Sequence, residues 1–139
     1  EQMAQVLHFD LVIRRKSDWR QFFTVWTDGR LDVNAAPADL LAAVTGAAHS
    51  KAVDMVTYLS GADGARNTSD DIRFGNLEEA RLFLGISPAA WSALTTPLSL
   101  ESPVVRMLST GQSGPIKANL SMVVNRAVSP FTVLEQEQQ

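Results

Sequence analysis

Phe23-Thr-Val-Trp-Thr-Asp-Gly-Arg-Leu-Asp-Val-Asn-Ala-Ala-Pro-Ala-Asp-Leu-Leu-Ala-Ala-Val44 decides the fold. Aromatic and β-branched residues open it, and Asp28-Gly29 suits a tight turn with positive φ. An extended Val33-Asn34-Ala35-Ala36 step follows, and Pro37 opens an apolar-striped helix. Within one stretch a sheet hands over to a helical module. The pattern predicts a strand at 22–26, a hairpin into Leu31-Asp32-Val33, and a helix with Leu40, Leu41 and Val44 on its inner face that ends at Gly46. Asn34 or Ala36 precedes the first turn. If the Asn34 side chain caps or pins the helix starting at Pro37, Asn34→Ala costs roughly 1 kcal/mol.

Upstream, Leu7, Phe9, Leu11 and Ile13 alternate with His8, Asp10 and Val12, the period of a strand over 6–14. Downstream, Ala52, Met55, Val56 and Leu59 share one face of a helix at 49–60, with Gly61 as its stop, so two short helices form a hairpin. Residues 62–71 have no apolar period and read as an exposed loop. Asn76 and Glu79 form a capping pair for a helix through Leu84, with Leu77, Ala80, Phe83 and Leu84 inward. Ser87-Pro88 opens a further short helix that buries Ala90, Trp91 and Leu94 before Pro97 stops it.

From Ser102 onward the strand code returns. Residues 103–108 are β-rich and 110–114 read as a turn. Ile116, Ala118, Leu120, Met122 and Val124 alternate with Lys117, Asn119, Ser121, Val123 and Asn125. Phe131-Thr-Val-Leu134 makes a last short strand before a frayed Glu/Gln tail. The expected fold is α+β: an antiparallel sheet with a helical insertion between N-terminal and C-terminal strands, divided as 1–34, 35–98 and 99–139 within one compact unit.

Composition narrows the function. With 139 residues, 45% of them hydrophobic, the chain can bury roughly two-thirds of its unfolded surface in one core. It carries 12 basic and 15 acidic residues, a net charge of -3 that disfavours nucleic acid and anionic lipid as partners. The absence of cysteine removes thiolate catalysis, cysteine-based zinc sites and disulfides. No apolar run of about 18 residues occurs and no signal-peptide pattern opens the chain. A start at Glu1 reads as a processed or truncated piece.

Candidate chemistry is sparse. Val33–Val44 followed by Thr45-Gly46 looks like half of a helix-hairpin-helix, but DNA-binding versions need two hairpin glycines and a nearby cation, and here only Gly46 and the more distant Lys51 are present. His8 and His49, the two histidines, lie far apart in sequence and share a site only if the fold joins them. Gly111-Gln112-Ser113-Gly114-Pro115 puts proline where a nucleophile elbow needs glycine. Asp63, Asp70 and Asp71 are the metal candidates, with calcium as the ion, though the EF-hand spacing is missing. Trp19, Trp26 and Trp91 with Phe22, Phe23, Phe74 and Phe83 read as core packing between sheet and helices. A small α+β enzyme or ligand-binding domain, and a nucleic-acid-binding hairpin module, are the competing classes.

The opening stretch resembles the signature "F-T-V-x-x-x-D-G-x-(I/L)-N-V-N-T-A-P" of the general secretion pathway protein K family, the large minor pseudopilins of bacterial type II secretion systems. The likeness extends through Phe83-Leu84-Gly85-Ile86-Ser87, the strand at 102–108, Ala118-Asn-Leu-Ser-Met-Val-Val-Asn-Arg126 and Phe131-Thr-Val-Leu134, in the family's order. The family's hairpin "(L/V)-P-G-(I/M)" is replaced by Val44-Thr45-Gly46-Ala47, and its leader and long hydrophobic first helix do not match residues here. The resemblance implies a pilin-like sheet and a structural, non-catalytic subunit that caps the pseudopilus and helps initiate its assembly. It implies partners of the I and J minor pseudopilin types, a place at the periplasmic face of the Gram-negative inner membrane with attachment through a missing N-terminal helix, no required cofactor, and calcium as an optional ligand of the helical domain. In isolation the piece is expected to be a monomer. The positions that then matter are scaffold residues: Asn34 and Pro37 at the switch, Gly46 at the bend, and Leu40, Leu41, Val44, Met55, Val56 and Leu59 in the hairpin.

Overall fold

The structure is a computed structural model that describes residues 8–15, 26, 27 and 29–138. It is mixed helix and sheet: five helices and two small sheets among the described residues, in keeping with the α+β expectation. The elements are α1 (Phe9–Arg15), β1 (Leu31–Asp32), α2 (Ala38–Thr45), α3 (His49–Leu59), α4 (Leu77–Leu84), α5 (Pro88–Ser92), β2 (Leu98–Ser99), β3 (Val104–Ser113), β4 (Ile116–Asn125) and β5 (Thr132–Gln138).

The expected strand at 6–14 is instead helix α1 over its described part. Phe9, Val12 and Ile13 satisfy a helical spacing as well as an alternating one. Asp10 in the first turn and Arg14 and Arg15 in the last complement the helix dipole, which an alternating pattern ignores. Only Phe9 is buried; Leu11, Val12 and Ile13 remain exposed. The β-rich run at 22–25 and Asp28 of the expected turn lie outside the described residues.

β1 does not join the C-terminal strands. It pairs in parallel with β2, Leu31 opposite Leu98 and Asp32 opposite Ser99, and helices α2 to α5 form the connection between them. Parallel neighbours need a long crossover, and these helices supply one. α2 and α3 form the expected hairpin, with Gly46 closing α2 by a bond from its N–H to the Ala42 carbonyl. The capping pair of α4 forms, with its return bond to the residue before the N-cap. Asn76 Oδ1 accepts from the Glu79 N–H at 2.9 Å, and Glu79 Oε2 accepts from the Gly75 N–H at 3.1 Å. Ser87 likewise caps α5 through the Ala90 N–H. No residue of α5 is buried, so its expected inner face of Ala90, Trp91 and Leu94 reaches the core only through the half-buried Trp91.

These helices close around Val33, Ala36, Leu41, Ala52, Met55, Leu59, Phe74, Ala80, Leu84 and Ile86. Tyr58, Phe74 and Phe83 add a ring cluster at its edge, with centroids 5.2 to 5.8 Å apart.

The C-terminal strands form the expected antiparallel meander, β3-β4-β5, but with longer strands. The segment 110–114 is not the turn. β3 runs on to Ser113, which faces Ile116 across the two-residue connection Gly114-Pro115. Gly114 at φ 57 followed by proline fits a type II′ hairpin, whose twist matches that of the strands. The expected frayed tail is paired as far as Gln138: Glu135, Gln136 and Glu137 face Val123, Met122 and Ser121, the backbone ladder overriding weak strand preference.

Between α3 and α4, the Ile72 N–H bonds the Leu59 carbonyl at 3.1 Å and folds residues 60–71 into a closed loop. Gly61 sits in its neck at φ 65, where a Cβ would lie 2.8 Å from the Asp70 carbonyl carbon. Gly61→Ala therefore carries both a strained backbone and a collision with main chain. It should lower stability by more than about 1 kcal/mol in urea unfolding.

Candidate functional site

The residues singled out at the sheet-to-helix switch converge on one side chain. Asn34 is 6% exposed and does not cap α2, whose N-cap is Pro37 with no side-chain bond. Its carboxamide faces the other way. Nδ2 donates to the Phe74 carbonyl at 3.2 Å and to the Leu100 carbonyl at 3.0 Å, and Oδ1 accepts from the Phe74 N–H at 2.9 Å. Asp32 completes the arrangement, one carboxylate oxygen accepting from the Asn34 N–H and the other from the Ser102 N–H, both at 2.9 Å. Arg66 reaches from the loop to the Asn34 carbonyl through Nη2, while its Nη1 is buried without a hydrogen-bond partner. The exit of β1, the approach to α4 and the exit of β2 are thus held by one amide and one carboxylate.

Pro37, as N-cap, accepts from the N–H groups of Leu40 and Leu41. On α2 the core side is Ala38, Leu41, Ala42 and Thr45, with Leu40 and Val44 half-buried beside it. Thr45 is buried because its hydroxyl donates back to the Leu41 carbonyl at 2.6 Å, a pattern that apolar counting misses. Met55 and Leu59 are fully buried and Val56 is half-buried against the same core.

Asp63, Asp70 and Asp71 serve the loop itself. Asp70 Oδ2 accepts from the N–H groups of Ala62 and Asp63 at 2.7 and 3.0 Å, and Oδ1 accepts from the Thr68 hydroxyl at 2.8 Å. The Thr68 hydroxyl and then the Asp63 N–H pull the Asp70 carboxyl down to about 2. Asp71 accepts from the Asn67 N–H and Asp63 from the Ala65 N–H. Among the described residues no three His, Asp or Glu side chains come together in a way that holds a metal ion.

His49 lies 2.9 Å from Asp39 on the exposed outside of the α2–α3 hairpin, whereas His8 is exposed at the turn before α1. Ser113 of the failed elbow motif is an exposed strand residue. Trp26 donates from Nε1 to Glu135 of β5 at 2.9 Å, and Trp19, Phe22 and Phe23 lie outside the described residues.

Two features went unnoticed in the sequence. Arg81 is 8% exposed and grips Glu78 with Nε and Nη2 while Nη1 donates to the Ile86 carbonyl. The Arg81 contact holds Glu78 below the ordinary carboxyl range. The i, i+3 spacing of Glu78 and Arg81 was the available signal. The second is a shallow hollow of about 330 Å³ on one face of the meander, lined by Arg106, Thr110, Asn119, Ser121 and Glu137 among others.

Comparisons with protein-family models, with curated proteins and with solved structures find no match to this chain. No helix among the described residues is long and apolar enough to cross a membrane.

Loss of the Asn34 carboxamide strands the buried N–H and carbonyl of Phe74 and the half-buried carbonyl of Leu100. Asn34→Ala should therefore cost about 3 kcal/mol in chemical denaturation, well above the roughly 1 kcal/mol of a lost helix cap. Asp70 is held below its unfolded value of 3.8, so its contribution is full above that pH and fades as pH falls toward about 2. Stability measured from pH 5 to pH 2.5 should fall less steeply for Asp70→Asn than for the parent chain.

Proposed function

We propose that this chain is the periplasmic part of a minor pseudopilin of the general secretion pathway K type, a structural subunit at the tip of the type II secretion pseudopilus. The observation that carries the reading is the place of Asn34. The Val33-Asn34-Ala35-Ala36-Pro37 step, which resembles the family signature, stands where the helical module joins the strands, and its asparagine ties both ends of that module together. A signature residue with that task is what a scaffold protein needs.

In this reading the sheet is the pilin-like body, and the module of α2 to α5 is the bulk that limits addition of further subunits. The partners are minor pseudopilins of the I and J types, and the working place is the periplasmic face of the inner membrane.

The test is assembly. Mixing the chain with the soluble domains of the I and J pseudopilins encoded by the same genome should give one co-eluting species whose light-scattering mass equals the sum of the three. Separate elution of all three at micromolar concentration would overturn the reading.

A further inference from the structure

The two edges of the meander are built differently. β5 carries a bulge, because Val123 faces Glu135 while Val124 faces Val133, leaving Leu134 over. It also carries Glu135 and Glu137. Bulges and charges are the devices by which natural sheets keep foreign strands off an edge. β3 has neither a bulge nor a proline in its ten residues, and its one charged residue is Arg106. β3 pairs with β4 along its whole length, no strand lies on its other side among the described residues, and every residue from 106 to 113 is exposed. Among the described residues no main chain pairs with the outer donors and acceptors of that row.

The side chains flanking that row indicate what it takes. Alternation places Arg106, Leu108, Thr110 and Gln112 on the face that holds the hollow, opposite Val123, Ser121, Asn119 and Lys117 of β4. Arg106 makes one hydrogen bond, from Nη1 to the Ser121 hydroxyl at 3.3 Å, and neither Arg106 nor Lys117 has a carboxylate within ion-pair distance among the described residues. Glu137 is the acid of the hollow, but it stands on β5. At about 4.8 Å per strand, a chain added to β3 lies next to Arg106 and about 14 Å from Glu137, beyond the screening length at physiological salt. The charge nearest an added chain is that of Arg106, the one charged residue of β3.

Leu108, 78% exposed between Arg106 and Thr110, suits the methylene stem of a glutamate. On the opposite face Met107 and, across the hairpin, Ile116 are 49% and 70% exposed and suit apolar side chains.

We propose that the outer edge of β3 accepts an extended acidic strand from a partner protein, whose main chain pairs with residues 106–112 and which sets a glutamate against Arg106 while its alternate apolar side chains cover Met107. Main-chain pairing supplies affinity and the alternate side chains supply selectivity, as in other strand-addition sites. A second copy of this chain fits less well, because its own acidic strand, β5, carries the bulge that interrupts a regular pairing register.

The test uses the full 139-residue chain, labelled for NMR, and a blocked octapeptide of alternating valine and glutamate as probe. Saturable shifts and slowed amide exchange should appear along 106–112. Affinity should exceed that of a valine–lysine octapeptide by about fivefold at low salt, and Arg106→Glu, an exposed position, should remove that preference without altering the circular dichroism. Methylation of the peptide nitrogens along one edge of the probe should abolish binding to both proteins. The proposal is overturned by an absence of saturable shifts, by shifts confined to β5, by equal affinity for the two peptides, or by dimerisation through β3 in the absence of peptide, which would make a second copy the occupant. Because neither the I nor the J pseudopilin enters this experiment, its failure leaves the tip-complex reading standing, and failure of the tip complex leaves the β3 site standing.

Discussion

One primary amide does the work of a missing strand. The Asn34 carboxamide offers a donor and an acceptor to Phe74 as a backbone neighbour in a sheet does, and spends its second donor on Leu100. β1 and β2 share only two residue pairs, too few to fix the base of a four-helix module by themselves. Burial makes the difference, because in a dry setting each stranded peptide group is costly and the three bonds hold one geometry. The core around Leu41, Met55 and Leu59 depends on that closure, since Val33 and Phe74 belong to it and both adjoin these bonds.

The two halves of the molecule are built on opposite principles. The helical part is closed: capped helix ends, an apolar centre, and a loop whose carboxylates are spent on its own N–H groups. The meander is open. Val123 and Val124 are buried at its base, while Leu108 and Ile116 near the hairpin stand in solvent. Adjacent strand residues point to opposite faces, so both faces are covered at the base and both are bare at the tip. Arg126 fastens the base of the meander to the segment between β2 and β3, its N–H donating to the Pro103 carbonyl at 2.7 Å and its guanidinium to Ser102 and Glu101.

What the sequence made legible were signals whose cause is local. Asn76 with Glu79, Ser87 before Pro88, and Gly46 and Gly85 after apolar stripes each mark a helix end through bonds made within four residues, and each stands where it was expected. What was not legible depends on distant partners. Phe9 to Ile13 satisfy two periods at once. Thr110 to Ser113 look like a turn until β4 pairs with them. Glu135 to Gln138 are poor strand formers that a neighbouring ladder recruits. Asn34 is the clearest instance. Its importance was visible in its position ahead of Pro37, but its partners lie 40 and 66 residues away, and no local rule reaches that far.

The parallel pairing of β1 and β2 also settles how the molecule carries tension. Chain enters the helical module at Leu31 and leaves at Leu98, directly opposite one another, so a pull along the polypeptide passes from one strand to the other at their contact. The helices in between hang to the side of the load path. Strands pulled lengthwise past each other must break their bonds together rather than one by one, and the Asn34 and Asp32 contacts to Leu100 and Ser102 join the same two strand exits. The module is thereby spared mechanical strain until that clasp gives way.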